Sequence, residues 1–240
     1  VRRRRPQRAA GAGLKATAEA LTRCLVFAAL PAEARARLVS ASSVIELRTR
    51  QLLWREGARA TKVGLVLHGR LSVERVRSRV VMLDIVGAGD LVGEVAFVLG
   101  DRYQFDVRCL RKARVAVFPS AVVAELLQAH GASLSASLAQ QVLRLTRRLE
   151  AVSGGAVEQR LARVIVGLSE RFGVDFPGGT LVPVRLRRED LAALAATTLE
   201  STSRQIGAWK RAGLVTPQPV GLLLHDLSSL RVLAGEGVAG

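Results

Sequence analysis

Cysteine is almost missing from this chain: Cys24 and Cys109 are the two among 240 residues, and they lie far apart. They form no disulfide framework, so a reducing, cytoplasmic setting is the simplest reading. Two thiols also fall short of the four that an iron–sulfur cluster takes, which excludes a cluster on cysteine count. Long apolar runs are absent too. Stretches such as Gly64–Leu67 and Leu222–Leu224 are far shorter than the roughly 20 residues of a membrane-crossing helix, so no membrane partner is expected. Arg2–Arg5 imitates the charged start of a secretory signal, but no apolar segment with a cleavage site follows. The first residue is Val, which points to a non-standard start codon or to a start upstream. Acid is the other deficit: 20 Asp and Glu stand against 36 Lys and Arg, a formal net charge of +16. Only four of the bases are Lys, as a GC-rich genome would favour, yet genome bias does not explain the excess of base over acid. A chain this basic fits a polyanionic partner.

What remains is 49% apolar and 23% charged, enough to bury a core. Residues 1–13 hold five Arg, no acid and no large apolar side chain except Val1, and read as a basic disordered arm. Residues 14–132 form the first domain. A helical pattern from Leu14 to Leu38, broken near Pro31, gives way to short runs rich in Val, Ile and Leu between Ser43 and Phe118. Turn signals fall at Gly57, Gly69, Gly87, Gly89 and Gly100. That pattern predicts an antiparallel β-roll or jelly roll, then a helix over Ser120–Ala129. Residues 133–156 form a long helix and a hinge. Leu138, Val142, Leu145, Leu149 and Val152 repeat with the 4-3-4-3 spacing of a coiled-coil seam, and Gly154-Gly155 ends the helix. A helix packed on its own barrel would need only one such stripe, but Arg144, Arg147, Arg148 and Glu150 flank it closely, which favours a homodimer interface. Residues 157–240 form the last domain: a helix over Val157–Phe172, a loop with Pro177-Gly178-Gly179, and two short helices in quick succession. The fold class is therefore α+β.

Those two short helices, Arg188–Ala196 and Leu199–Ala212, carry the most informative pattern. In the second, Leu199, Thr202, Ile206 and Trp209 form a stripe to bury, with Thr197-Thr198 as N-caps. At 100° per residue, Glu200, Arg204, Gly207 and Arg211 fall on the opposite face, with Ser203 at its edge. This is a helix-turn-helix that presents acid, hydroxyl and guanidinium groups near the helix N-terminus. In a DNA major groove, an Arg fork bonds guanine O6 and N7 and a carboxylate accepts from a cytosine amino group. Glu200 also fits a capping box, a structural alternative. Arg185, Arg187 and Arg188 lie just before the motif, placed for phosphates. Yet residues 158–240 hold ten bases against eight acids, so most of the positive charge lies elsewhere.

The arrangement resembles the Crp–Fnr family of bacterial transcription regulators over about residues 25–235. The motifs are Leu52–Gly57, Val66–Leu71 and Gly87–Ala96 in the β-roll, and Glu200-Ser-Thr-Ser-Arg204, similar to the Glu-x-x-Ser-Arg pattern of the FNR branch. The resemblance implies a cyclic-nucleotide-binding-like sensor, a dimerisation helix and a C-terminal winged helix-turn-helix, with Leu222–Leu233 as wing strand and closing helix. It implies that Glu200, Ser203 and Arg204 read a TTGA-type half-site of a palindrome in double-stranded DNA, and that RNA polymerase is a further partner. In cyclic-nucleotide-binding members a Gly-Glu pair is followed, about ten residues on, by an Arg whose charge neutralises the cyclic phosphate. Gly93-Glu94 matches, but the Arg position falls at Tyr103-Gln104 or Gln104-Phe105. Arg102 and Arg108 are near at the wrong spacing, so Gly93, Glu94 and Arg102 are the candidate ligand residues while ordinary cyclic AMP is disfavoured. Haem ligation by His68, Cys24 or Cys109 is disfavoured as well, since His68 reads as an exposed turn residue. His130 and His225 look structural or exposed. No metal-ligand cluster, Walker loop or nucleophile elbow suggests an enzyme. The competing reading is a nucleotide-binding regulatory protein that acts on a protein partner.

Overall fold

The computed structural model describes residues 6–78, 80–94, 96, 102–129, 142 and 154–236. Its chain divides into two units, one of residues 1–76 and 84–144, the other of residues 77–83 and 145–240. No helix among the described residues is long and apolar enough to cross a membrane.

Three helices open the first unit: α1 (Pro6–Arg23), α2 (Leu25–Ala28) and α3 (Ala32–Ala41). Helix α1 begins at Pro6, within the stretch 1–13 expected to be an arm, and residues 1–5 lie outside the described residues. A formed helix extends at the cost of one residue per added hydrogen bond. Pro suits the first helical position, and Gln, Arg and Ala are good helix formers. Leu21 and Ala20 anchor the helix in the core, and the buried Thr17 hydroxyl donates to the Gly13 carbonyl at 2.9 Å.

Six strands follow: β1 (Ser43–Leu47), β2 (Leu52–Trp54), β3 (Lys62–Val76), β4 (Val80–Val86), β5 (Leu91–Val92) and β6 (Asp106–Pro119). They lie in one sheet of order β1-β6-β3-β4, with β2 also on β6 and β5 on β3. Strand β3 runs on through the turn expected at Gly69, and β6 is unbroken from Asp106 to Pro119. Gly69 bends the chain rather than turning it: the β3–β6 register shifts three times between Val66 and Leu71. Gly69 has φ +87°, and a Cβ there would lie 2.5 Å from the Lys112 carbonyl oxygen, so only glycine lets the strands cross so closely.

The two-residue period of β6 separates two cores. Ala116 and Phe118 pack with Leu21, Phe27, Leu30 and Leu38 against the helices and α4 (Ser120–Ala129). Val115 and Val117 face the other way, toward Leu47, Val66, Leu71, Val107 and Cys109. Phe27 and Phe118 meet at a ring-centroid distance of 5.9 Å.

The second unit runs α5 (Val157–Phe172), β7 (Val174–Phe176), β8 (Gly179–Val182), α6 (Arg188–Leu194), α7 (Leu199–Arg211), β9 (Val215–Gln218), β10 (Gly221–Leu224) and α8 (Leu227–Ala234). Its four-stranded antiparallel sheet has the order β7-β8-β10-β9. The loop expected around Pro177-Gly178-Gly179 is the turn of the β7–β8 hairpin. Helix α5 buries Leu161, Ala162, Val164, Ile165 and Leu168. Leu138, Leu145, Leu149 and Val152 of the expected dimer seam lie outside the described residues, as does His130. Val142 is helical and 61% exposed.

Candidate DNA-reading helix and sensor site

Helices α6 and α7 meet in a short turn. Ala196 there has φ +48°, the left-handed region, and the Thr197 amide donates to the Ala192 carbonyl at 3.0 Å. Thr198 then caps α7: its hydroxyl oxygen accepts from the Ser201 amide at 3.1 Å. Glu200 therefore stands one position too early to close a capping box, which removes the structural alternative for it.

The buried face of α7 holds Thr202, Ile206 and Trp209, at 0%, 0% and 2% exposure. Leu199 departs from expectation at 47% exposed, because it is the first helical residue and lies beyond the part of α7 that packs on the domain. The orientation of the helix is pinned by Glu158, at the start of α5. One carboxylate oxygen, Oε1, accepts from Trp209 Nε1 at 3.0 Å and from Gln205 Nε2 at 2.7 Å. A buried indole N–H needs a partner, and this one comes from 51 residues away. Spacing along the sequence offers no signal for it.

On the outer face Glu200, Ser203, Arg204 and Arg211 are all exposed, and Gly207 is half-buried. Glu200, Ser203 and Arg204 have no hydrogen bond or ion pair to another described residue. The helix dipole favours a carboxylate at this end and suits Lys210 and Arg211 at the other. Arg211 lies seven residues beyond Arg204, about 10 Å along the axis. Arg187 is exposed and Arg188 half-buried at the start of α6. The Arg187 amide donates to Asp190 at 2.8 Å.

Partners fill the sensor side instead. Tyr103, one of the two positions where the resemblance calls for a cation (the other is Gln104), is 5% exposed and stacks on Trp54 at 4.6 Å and 11° between rings. Its hydroxyl donates to the Lys62 carbonyl at 2.9 Å, and burial pushes the phenol up to about 12. Gly93 packs against this stack: a Cβ there would lie 2.7 Å from Trp54 and 3.1 Å from Tyr103. Glu94 is half-buried next to it. Arg102 is exposed and donates to the Gly57 carbonyl at 2.8 Å. Arg108 pairs with Glu74 at 3.1 Å and with Asp106 at 3.7 Å. The structure brings Gly93 and Tyr103 together, bonds Arg102 to the Gly57 carbonyl and pairs Arg108 with Glu74 and Asp106.

The haem candidates are no better placed. His68 is exposed, in β3 rather than in a turn. Burial pushes the Cys24 thiol up to about 11 and raises Cys109 too, the opposite of what a thiolate ligand requires. No group of three or more His, Cys, Asp or Glu able to hold a metal occurs among the described residues. His225 is exposed and bonds Thr216 and the Gly178 carbonyl, each at 2.8 Å.

A β-roll and a helix-turn-helix backed by an antiparallel wing sheet define a two-domain transcription regulator. Residues 44–130 match the cyclic nucleotide-binding domain family, and residues 159–233 match the Crp-like helix-turn-helix domain. The chain belongs to the Crp–Fnr family of DNA-binding transcription regulators, which are not enzymes. The anaerobic regulatory protein of Bacillus subtilis (strain 168) is 24% identical over 201 residues, 81% of this chain and 84% of the relative. Two solved structures share the fold. One is a CRP-family regulator from Thermus thermophilus, with TM-score 0.67, 22% identity, and coverage of 80% of this chain and 96% of that one. The other is a c-di-GMP-responsive global regulator from Xanthomonas campestris, with TM-score 0.68, 21% identity, and coverage of 81% and 99%.

Proposed function

We propose that the protein is a cytoplasmic homodimer that reads a near-palindromic, TTGA-like operator through α7 and acts on RNA polymerase. The observation that carries this reading is the set Glu200, Ser203 and Arg204: exposed, at the first turns of a rigidly held helix, and free of partners among the described residues. Exposed polar groups held in order on one helix face suit base edges, with Arg204 bidentate to guanine and Glu200 accepting from cytosine. The exposed Leu199 adds an apolar surface suited to a thymine methyl. Arg187, Arg188 and Arg211 meet phosphates and set the register.

A two-fold dimer through Leu138, Val142, Leu145, Leu149 and Val152 places two such helices about 34 Å apart, one turn of DNA. Gly154 and Gly155, both at positive φ, form the hinge through which the sensor alters the presentation of α7. The effector is not ordinary cyclic AMP. Neither Tyr103 nor Gln104, the two positions where a cyclic phosphate needs a cation, supplies one; Arg102 bonds the Gly57 carbonyl and Arg108 pairs with Glu74.

Fluorescence anisotropy on a TTGAT-N4-ATCAA duplex and a scrambled duplex, across a salt series and without effector, tests the reading. A strong preference for the palindrome is expected. Equal, steeply salt-dependent binding to both would mean general phosphate affinity alone. In sedimentation, Leu149→Glu should turn the dimer into monomers; an intact dimer would refute the seam.

A further inference from the structure

We infer that the C-terminal unit holds a second ligand site, for a small amphipathic carboxylate, behind the arginines that precede the helix-turn-helix. A cavity of about 240 Å³ lies between α5, β8, α6 and β10, with Ile165, Leu168, Val182 and Leu191 among its apolar lining and Arg185 and Arg188 on its more exposed side. Arg187 lines it too, and no acidic residue does. None of the three guanidinium groups is ion-paired within the described residues. Arg188 is half-buried, and loss of water around it pushes its guanidinium below the ordinary value.

Unpaired guanidinium groups beside an apolar cavity fit one chemistry. The planar fork pairs bidentately with a carboxylate and is weakly hydrated, which makes Arg suited to an anion at the edge of an apolar site. The apolar walls call for an acyl or aryl body behind that anion. A cavity below the roughly 300–1,000 Å³ of drug-sized pockets selects a compact ligand. An inorganic phosphate would satisfy the arginines and leave the walls unused.

Such a ligand draws Arg185 and Arg188 toward the cavity and away from DNA phosphates, so carboxylate and operator compete. The competition rests on the DNA reading proposed above; the site does not. Calorimetry on the full-length protein without DNA, using octanoate as the probe and octanamide as its neutral counterpart, tests the site by itself. Saturable octanoate binding, one per chain, is expected, with octanamide weaker by about tenfold or more for the lost charge-assisted bond. Arg188→Gln should weaken octanoate to the same degree, and Leu222→Phe, which narrows the cavity from a half-buried position, should abolish binding while the thermal melt persists. Absence of saturable heat, equal binding of octanamide, or no effect of Arg188→Gln would overturn the site. Octanoate binding that leaves operator anisotropy unchanged would overturn the competition.

Discussion

The outer face of α7 and the candidate ligand site of the β-roll treat their polar groups in opposite ways. On α7, Glu200, Ser203 and Arg204 are exposed and find no partner among the described residues, while the groups beneath them are tied down through Glu158. In the β-roll, Arg102 bonds the Gly57 carbonyl, Arg108 is divided between Glu74 and Asp106, and the Tyr103 hydroxyl donates to Lys62. Side chains held in order without internal partners are available to another molecule. Side chains already satisfied would have to give up one partner for another, at a cost close to what the new contact returns. On the proposed reading, the contrast separates a surface for recognition from one where the same residue types stabilise the fold.

The largest test of that contrast is Arg108→Ala. Glu74 is buried at 5% exposure and Asp106 at 9%, and removing their shared cation leaves two carboxylates uncompensated. The expected loss is about 3 kcal/mol of stability, read by chemical denaturation. A loss below about 0.5 kcal/mol would place Arg108 with the ordinary surface pairs.

Tyr103 sharpens the same side without a mutation, since it is the one tyrosine in the chain and its phenolate absorbance is uniquely assignable. It should titrate near 12 rather than 10. The folded-state value is raised, so this contribution to stability is complete below pH 10 and is lost as the pH climbs from 10 toward 12. A midpoint near 10 in the folded protein would mean that the ring is wet and the stack open. On the other side of the comparison, Arg204→Ala should cost about 1–3 kcal/mol on the preferred operator and relax the base choice there. Its melting temperature should stay near that of the parent, because the side chain has no internal partner to lose. A lowered melting temperature with base preference intact would reverse the assignment.

How far the sequence was legible follows from the range of the interactions involved. Periodicity located the β-roll, the helix over Ser120–Ala129 and the exposed face of α7, because each depends on neighbours a few residues away. Gly69 was legible as a break but not as a bend, since its role depends on the Lys112 backbone crossing it. The Trp54–Tyr103 stack and the Glu158 clamp on Trp209 join residues about fifty apart, which no local pattern encodes. Family resemblance placed the missing cation at Tyr103 or Gln104; the fold showed that Tyr103 is buried in a stack on Trp54. Leu199 was misplaced for the opposite reason: the helical period holds there, but the domain it would pack against ends before it.

The smallest effect expected is at Ala196, in the turn that sets the angle between α6 and α7. Its φ of +48° places an L side chain in the left-handed region, where the Cβ crowds the following carbonyl. Ala196→Gly removes that strain of about 1–2 kcal/mol but gives the unfolded chain more freedom, which returns part of it. The net expectation is a gain of about 0.5–1 kcal/mol in thermal unfolding. Operator affinity should be unaltered, because the substitution adds no group to the reading face. If stability rises while affinity falls, the turn is more than a connector: its strain would then be part of how α7 is presented, and the separation between structural and reading groups would break at this residue.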